Sequence, residues 1–408
     1  MIHISKPYIT SSNTHTKLNF DLTLDNKSKE VIWYEVENKF AKYLCTERID
    51  GIVVNLLLHC MKNNQDIVSE HPISEKLYYQ LTNFFIPIIE DNIDIYSSFS
   101  IIAPLDNTIL QSENAVGTGL SCGVDSFYTV LKNSEKITNN YNVTHFTFFN
   151  AGASGSFGGD SARKLYFERM AEVEPCAKEV NIPLVAVDTN INEFLNVRHA
   201  KTHTVRSLAI PLILQKLFSV YYYSSAAALD EFQFREDYTG YYDWFTLSCL
   251  NTENISFYST GSEVDRFSKT KYISDSSLAQ KYLNVCISEE KNCCNCKKCK
   301  RTIIDLYAMN KLGNFNQVFD LNYISKNIDK YMIHLVGYRF EKYLQPSYIT
   351  LKESGKLSIK VQIIGNIYFV KNLVERKIKT MKNYEKLKNN KFLRKILRKN
   401  QLKVSYEK

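Results

Sequence analysis

The chain has 408 residues, more than one ordinary domain and enough to bury its cores without covalent staples. Hydrophobic residues make up 44% and charged residues 23%, a balance that excludes a disordered or fibrous protein. The formal charge of +8 is unevenly spread: Arg376 to Lys408 holds 13 Lys/Arg against Glu385 and Glu407, and the rest of the chain is slightly acidic.

Residues 1–113 read as a separate α+β module. Leu18–Leu24 and Val31–Val36 alternate like strands, Ile52–Met61 and Ser74–Phe85 have helical spacing, and Phe99–Ala103 is a short apolar strand. From Asn114 the pattern becomes strand, turn, helix, repeated. Strands are expected over Ala115–Leu120, Val143–Phe149, Leu184–Val187 and Ser219–Ser224. Helices are expected over Asp125–Lys132 and Ser161–Val180, with further helical segments up to Lys216. Such alternation predicts an α/β fold, a parallel sheet with helices on both faces, and ligands beyond the carboxyl ends of its strands. The segment after Thr302 reads as mainly helical, with a strand pair over Leu357–Val370 before the basic tail. The expected divisions are therefore 1–113, 114–312, 313–375 and 376–408.

The first twelve residues lack a basic stretch followed by an apolar core, so no secretory signal is expected. No apolar run approaches the roughly 18 residues of a membrane-spanning helix. Ten cysteines without an export signal favour reduced thiols or metal ligands over disulfides, and a cytoplasmic location.

Gly119-Leu-Ser-Cys-Gly-Val-Asp-Ser126 sits at an expected strand-to-helix junction. Glycine there permits close backbone approach, and the helix start offers amide groups and a positive dipole end to phosphate oxygens. Ser121 and Ser126 add hydroxyls, and Asp125 can cap the helix or hold magnesium. Gly117, Gly119 and Gly123 are spaced GxGxxxG, not the dinucleotide GxGxxG, and no GxxxxGK[ST] occurs anywhere. A second signal is Cys286-x6-Cys293-x2-Cys296-x2-Cys299. Four thiolates at such spacing suit a closed tetrahedral zinc site; Cys294 competes as a ligand, and an iron–sulfur cluster is the chemical alternative.

The six residues Ser121 to Ser126 resemble the SGGxDS loop of the PP-loop ATP pyrophosphatases, the adenine-nucleotide α-hydrolase-like group with a HUP-type, Rossmann-like fold. Cys122 stands at that motif's first glycine, either as a tolerated small side chain or as a reactive thiol. The cysteine segment, with Arg301 and Thr302 behind it, resembles the zinc knuckle of the queuosine-pathway cyano-deazaguanine synthases and their relatives. The likeness covers about residues 114–305. It implies that Gly119, Leu120, Ser121, Cys122, Gly123, Val124, Asp125 and Ser126 bind ATP with Mg2+, and that Zn2+ organises the knuckle. Arg206, in Val205-Arg-Ser-Leu208, would sit near nucleotide or substrate, and Lys269, with Arg266 as its alternative, would neutralise the leaving pyrophosphate.

The activity so implied is adenylation of a carboxylate or amide oxygen, with pyrophosphate released and AMP then displaced by a nitrogen or sulfur nucleophile. A small molecule, a peptide or a protein terminus would serve as substrate. The alternatives are a tRNA-modifying or sulfur-transferring enzyme of the same class, and a non-catalytic nucleotide-binding component of a multiprotein system, acting as a homodimer or with partner proteins. The basic tail is a solvated run, or it contacts RNA or an anionic surface. His199 and His203, at i and i+4, read as helix-surface residues rather than metal ligands. The glycine-rich loop Gly152–Asp160 reads as a flexible connector or a flap over a substrate.

Overall fold

The computed structural model describes residues 1–134, 138–287 and 289–380. The chain forms two compact units, Met1–Cys293 and Cys294–Lys408. In the first, five strands pair in parallel: Ala115–Gly119, His145–Phe149, Leu184–Thr189, Phe218–Ser224 and Ser256–Thr260. Ala115–Gly119 lies in the middle of this set. From it the chain winds out through His145–Phe149 and Leu184–Thr189, then returns to lay Phe218–Ser224 and Ser256–Thr260 on the other side. A reversal of that kind opens a crevice beyond the carboxyl ends of the two strands that flank it, here Ala115–Gly119 and Phe218–Ser224.

Burial on both faces explains why the inner strands Ala115–Gly119 and Phe218–Ser224 are mostly buried along their length rather than alternating. Four of the five residues in Ala115–Gly119 are buried. A Cβ on Gly117 would stand 2.7 Å from the Phe218 ring and 2.8 Å from that of Tyr221, so glycine is what lets the neighbouring aromatic residues pack.

The sheet does not stop at the parallel strands. Leu184–Thr189 pairs antiparallel with Lys29–Glu37, with Asp188 opposite Glu35. His15–Leu24, Ile2–Ile4, Ile67–Ser69 and Ile101–Ile102 follow in order. Residues 1–113, read from sequence as a separate module, thus share a sheet and a hydrophobic core with the parallel strands. Period-two alternation puts Leu18, Phe20 and Leu22 inside, and likewise Ile32, Tyr34 and Val36. Helix Asp50–Asn63 packs on helix His203–Ile213, and an added Cβ on Gly51 would meet Ile213 Cδ1 at 2.5 Å. An ion cluster adds to the join: Arg48, fully buried, donates to Asp106 at 2.7 Å and to Glu253 at 2.9 Å.

The second unit is helical, with Lys297–Ala308, Leu321–Gly337, Gln345–Glu353 and Ile359–Thr380 as its main elements. The strand pair expected over Leu357–Val370 is corrected: that stretch leads into and forms much of the last helix. Its β-branched residues suggest strand by propensity, but packing overrides propensity. Gly365 lies so close to helix Leu321–Gly337 that an added Cβ would stand 2.5 Å from Val336 Cβ, and Asn372 donates to the Gly337 carbonyl at 2.9 Å. The basic tail lies outside the described residues from 381 onward. Among the described residues, no helix is long and apolar enough to cross a membrane.

Candidate functional site

The loop after Ala115–Gly119 lies at the carboxyl end of that strand, at the reversal of strand order. It is held by its own hydroxyls: Ser126 Oγ donates to the Gly119 carbonyl at 2.9 Å and accepts from the Ser121 amide at 3.0 Å. The Leu120 amide bonds Thr147 O, and the Asn284 amide donates to Cys122 O. Helix Val124–Asn133 starts immediately behind, with Gly123 as its N-cap. Its first turn therefore presents amide groups and the positive end of a ten-residue helix toward the crevice.

Cys122 has φ +54°, in the left-handed region that costs an L-residue about 1–2 kcal/mol and glycine almost nothing. The backbone thus favours glycine here, and cysteine is carried with strain. Its surroundings oppose the lowered thiol pKa that a helix start could create. A hydrogen bond with Cys176 and burial together hold Cys122 well above the ordinary thiol range, so it stays neutral.

Asp125, on the first turn, is bonded to two cations brought by one later helix. Arg266 Nη1 lies 2.5 Å from one carboxylate oxygen and Lys269 Nζ 3.2 Å from the other. Helix Arg266–Ile273 positions both, one turn apart, behind an Asp265 cap that accepts from the Ser268 amide. Lys269 is 1% exposed and also donates to the Ser225 carbonyl at 2.6 Å, at the end of Phe218–Ser224. Gly261, at φ +92°, makes room for it, because an added Cβ would stand 2.8 Å from Lys269 Cε and 3.0 Å from Nζ. One carboxylate faces two cations here, and Arg266 Nε is buried without a partner. The cluster sets two cations beside a helix start, an arrangement that suits phosphate oxygens.

One residue that the sequence did not single out joins the group. Asp243 is buried, its Oδ2 has no partner, and its neighbours include Ser225, Lys269 and Asp125. Burial raises its carboxyl to about 7, and the nearby Asp125 adds to the rise against the opposing pull of Ser225, Lys269 and the Trp244 amide. A carboxyl titrating there can take or give a proton at neutral pH. No motif marks Asp243; it sits in the Tyr238–Phe245 run, whose composition reads as core.

Arg206 lies in a separate hydrogen-bond group from Asp125 and Lys269. It is fully buried, and it donates to Ser156 O, Asn192 Oδ1 and Val197 O at 2.9–3.1 Å. Burial lowers its guanidinium to about 10. These bonds make it a brace between the loops that follow His145–Phe149 and Leu184–Thr189, and they do not join it to Asp125 or Lys269. The helix-surface reading is corrected for His203. His203 is 9% exposed, its Nδ1 lies 3.0 Å from Tyr223 Oη, and burial, with His199 and Arg206 nearby, lowers it to about 3. The Gly152–Asp160 loop is pinned rather than free. Gly159 N donates to Glu193 at 2.9 Å, and a Cβ on Gly158 would meet the Glu193 carboxyl at 2.4 Å.

The four expected thiols do converge. One sulfur from each of Cys286, Cys293, Cys296 and Cys299 lies within 4.8 Å of the others. A tetrahedral zinc with bonds of about 2.3 Å needs sulfurs about 3.8 Å apart, so the set fits with small adjustment. Amide-to-sulfur bonds support thiolate character: Glu289 N to Cys286 Sγ at 3.3 Å, and Cys299 N to Cys296 Sγ at 3.5 Å. Cys294 is not one of the four. Its backbone takes φ +55°, and its carbonyl accepts from Tyr331 Oη at 2.7 Å. Comparison with protein-family models, with curated proteins and with solved structures gave no match.

Proposed function

We propose that the chain is an ATP-dependent adenylating enzyme of the PP-loop kind. The observation that carries this reading is the Asp125–Arg266–Lys269 cluster at the start of helix Val124–Asn133, beside the reversal of strand order. Amides of residues 121–126 and the two cations would hold the polyphosphate of ATP. A substrate carboxylate or amide oxygen attacks the α-phosphorus, the bond to the β-phosphate breaks, and pyrophosphate leaves. A nitrogen or sulfur nucleophile then displaces AMP. Lys269, dry and fixed by Ser225 O, would stabilise charge as it develops on pyrophosphate without reorganising. Asp125 fits a magnesium ligand once ATP draws one of its two cations away; that ion would neutralise phosphate charge. Asp243 is the candidate to accept the proton of the incoming nucleophile.

The buried, neutral Cys122 gives no support to sulfur transfer through that residue. The knuckle thiolates fit zinc with a structural part, since four protein ligands leave no open position.

The deciding experiment is incubation with ATP, Mg2+ and pools of carboxylate-bearing small molecules or peptides. AMP and pyrophosphate are expected in equal amounts, with an adenylated species seen by mass spectrometry. Release of ADP and phosphate instead would refute the mechanism. Elemental analysis checks the knuckle: about one zinc per chain, lost in Cys296→Ser and Cys299→Ser.

A further inference from the structure

Helix Ile359–Thr380 packs on helix Leu321–Gly337 through Gly365 and Asn372, and Val361 on the same side is buried. Its opposite side is also apolar. Ile359, Ile363, Ile367, Val370 and Val374 are 77, 58, 64, 59 and 45% exposed. At about 100° per residue these five fall within an arc of about 80°, a stripe about 22 Å long at 1.5 Å per residue. Isolated exposed hydrophobic residues are ordinary, but an aligned row of β-branched ones is not.

What continues from this helix names its partner. Arg376 to Lys408 carries 13 Lys/Arg and two Glu, with Phe392, Leu393, Ile396 and Leu397 among them. We propose that the outward face of helix Ile359–Thr380 docks on an anionic lipid bilayer, with the basic segment that follows it as the second attachment. Stable surface binding takes two such signals, apolar area and a polybasic stretch, and here they are contiguous. Two other occupants fit less well. A second copy of the chain would bring two segments of net charge +11 together, which repels rather than holds. A nucleic acid would answer the charge but not the stripe, because isoleucine and valine offer bases neither a stacking face nor a hydrogen bond.

The test uses the full chain and vesicles of phosphatidylcholine with or without phosphatidylglycerol. Flotation is expected with the anionic vesicles and not with the neutral ones. The double substitution Ile363→Asp/Ile367→Asp should weaken it at least about tenfold while leaving the melting temperature unchanged, since both side chains are mostly exposed. A second variant, Ile367→Trp, keeps the face apolar. The fluorescence it adds to that of the wild-type chain should be quenched by brominated lipid in anionic vesicles. Binding that ignores the double substitution, or added fluorescence that brominated lipid leaves unquenched, overturns the proposal. So does a dimer that the same substitutions dissociate, or retention by an RNA oligonucleotide with no flotation.

Discussion

Two buried ion clusters in the first unit use the same chemistry to opposite effect. At the join between the first 113 residues and the parallel strands, one cation meets two carboxylates: Arg48 with Asp106 and Glu253, its remaining nitrogen donating to Thr108 O. Every nitrogen of that guanidinium has a partner, and nothing is left for a ligand. At the carboxyl edge of the parallel strands two carboxylates and two cations group together, Asp125 bonded to Arg266 and Lys269 with Asp243 nearby, and Arg266 Nε and Asp243 Oδ2 have no partner. The first arrangement is a fastener; the second leaves buried polar atoms unpaired. Unpaired buried polar atoms, rather than the presence of buried ions, distinguish the candidate site from the structural pair.

The most severe loss is expected at Arg48. Arg48→Met leaves two carboxylates without their cation and should cost about 3–5 kcal/mol in urea unfolding, with pyrophosphate release per folded molecule unchanged. An effect on turnover there would erase the distinction between the two clusters. Lys269→Gln should do the reverse, lowering pyrophosphate release about 100-fold or more in kcat, as loss of one fixed transition-state donor does. A smaller loss of turnover, about tenfold, is expected for Gly261→Ala. The added methyl displaces Lys269 and places alanine at φ +92°, whose strain of about 1–3 kcal/mol appears as a lower melting temperature.

The smallest effect separates the clusters through pH. Asp243 is raised to about 7 in the folded protein and Asp50, near Arg48, to about 6, both above the ordinary 3.8. Each favours the folded state fully while protonated in it, and that advantage falls as pH rises from about 4 to its folded pKa. Between pH 6 and 7 only Asp243 still contributes of the two. Asp243→Asn should therefore remove a downward stability slope of up to about 1.4 kcal/mol per pH unit in that interval. The difference between wild-type and variant melting curves reads it, because other titrations cancel. Equal slopes would place Asp243 in a wetter setting than its burial implies.

Much of this was legible in the sequence because it is local. Strand-turn-helix alternation marked four of the five parallel strands to within a few residues and missed Ser256–Thr260, a polar edge strand that is only partly buried. The glycine- and serine-rich turn at 119–126 and the four spaced cysteines were visible because backbone geometry and ligand spacing act over short distances. Leu357–Val370 misled for the same reason: its β-branched residues state a local preference that Gly365 and Gly337 override by close helix contact. His203 and Arg206 were read as surface groups or ligands because no short pattern reports burial.

Residue order alone was enough for the α/β class, the phosphate-loop candidate, the thiolate set up to Cys294, and a charge excess confined to the last 33 residues. Three features waited on the folded chain: residues 1–113 extend the same sheet, Cys294 stands outside the thiolate cluster, and Asp243 joins Asp125 and Lys269. The reason is physical. Periodicity and ligand spacing are written within a turn or two of chain. The grouping of ionisable side chains is instead set across long stretches of chain, and the winding of the sheet is what brings Asp125 together with Asp243 and Lys269, more than a hundred positions later.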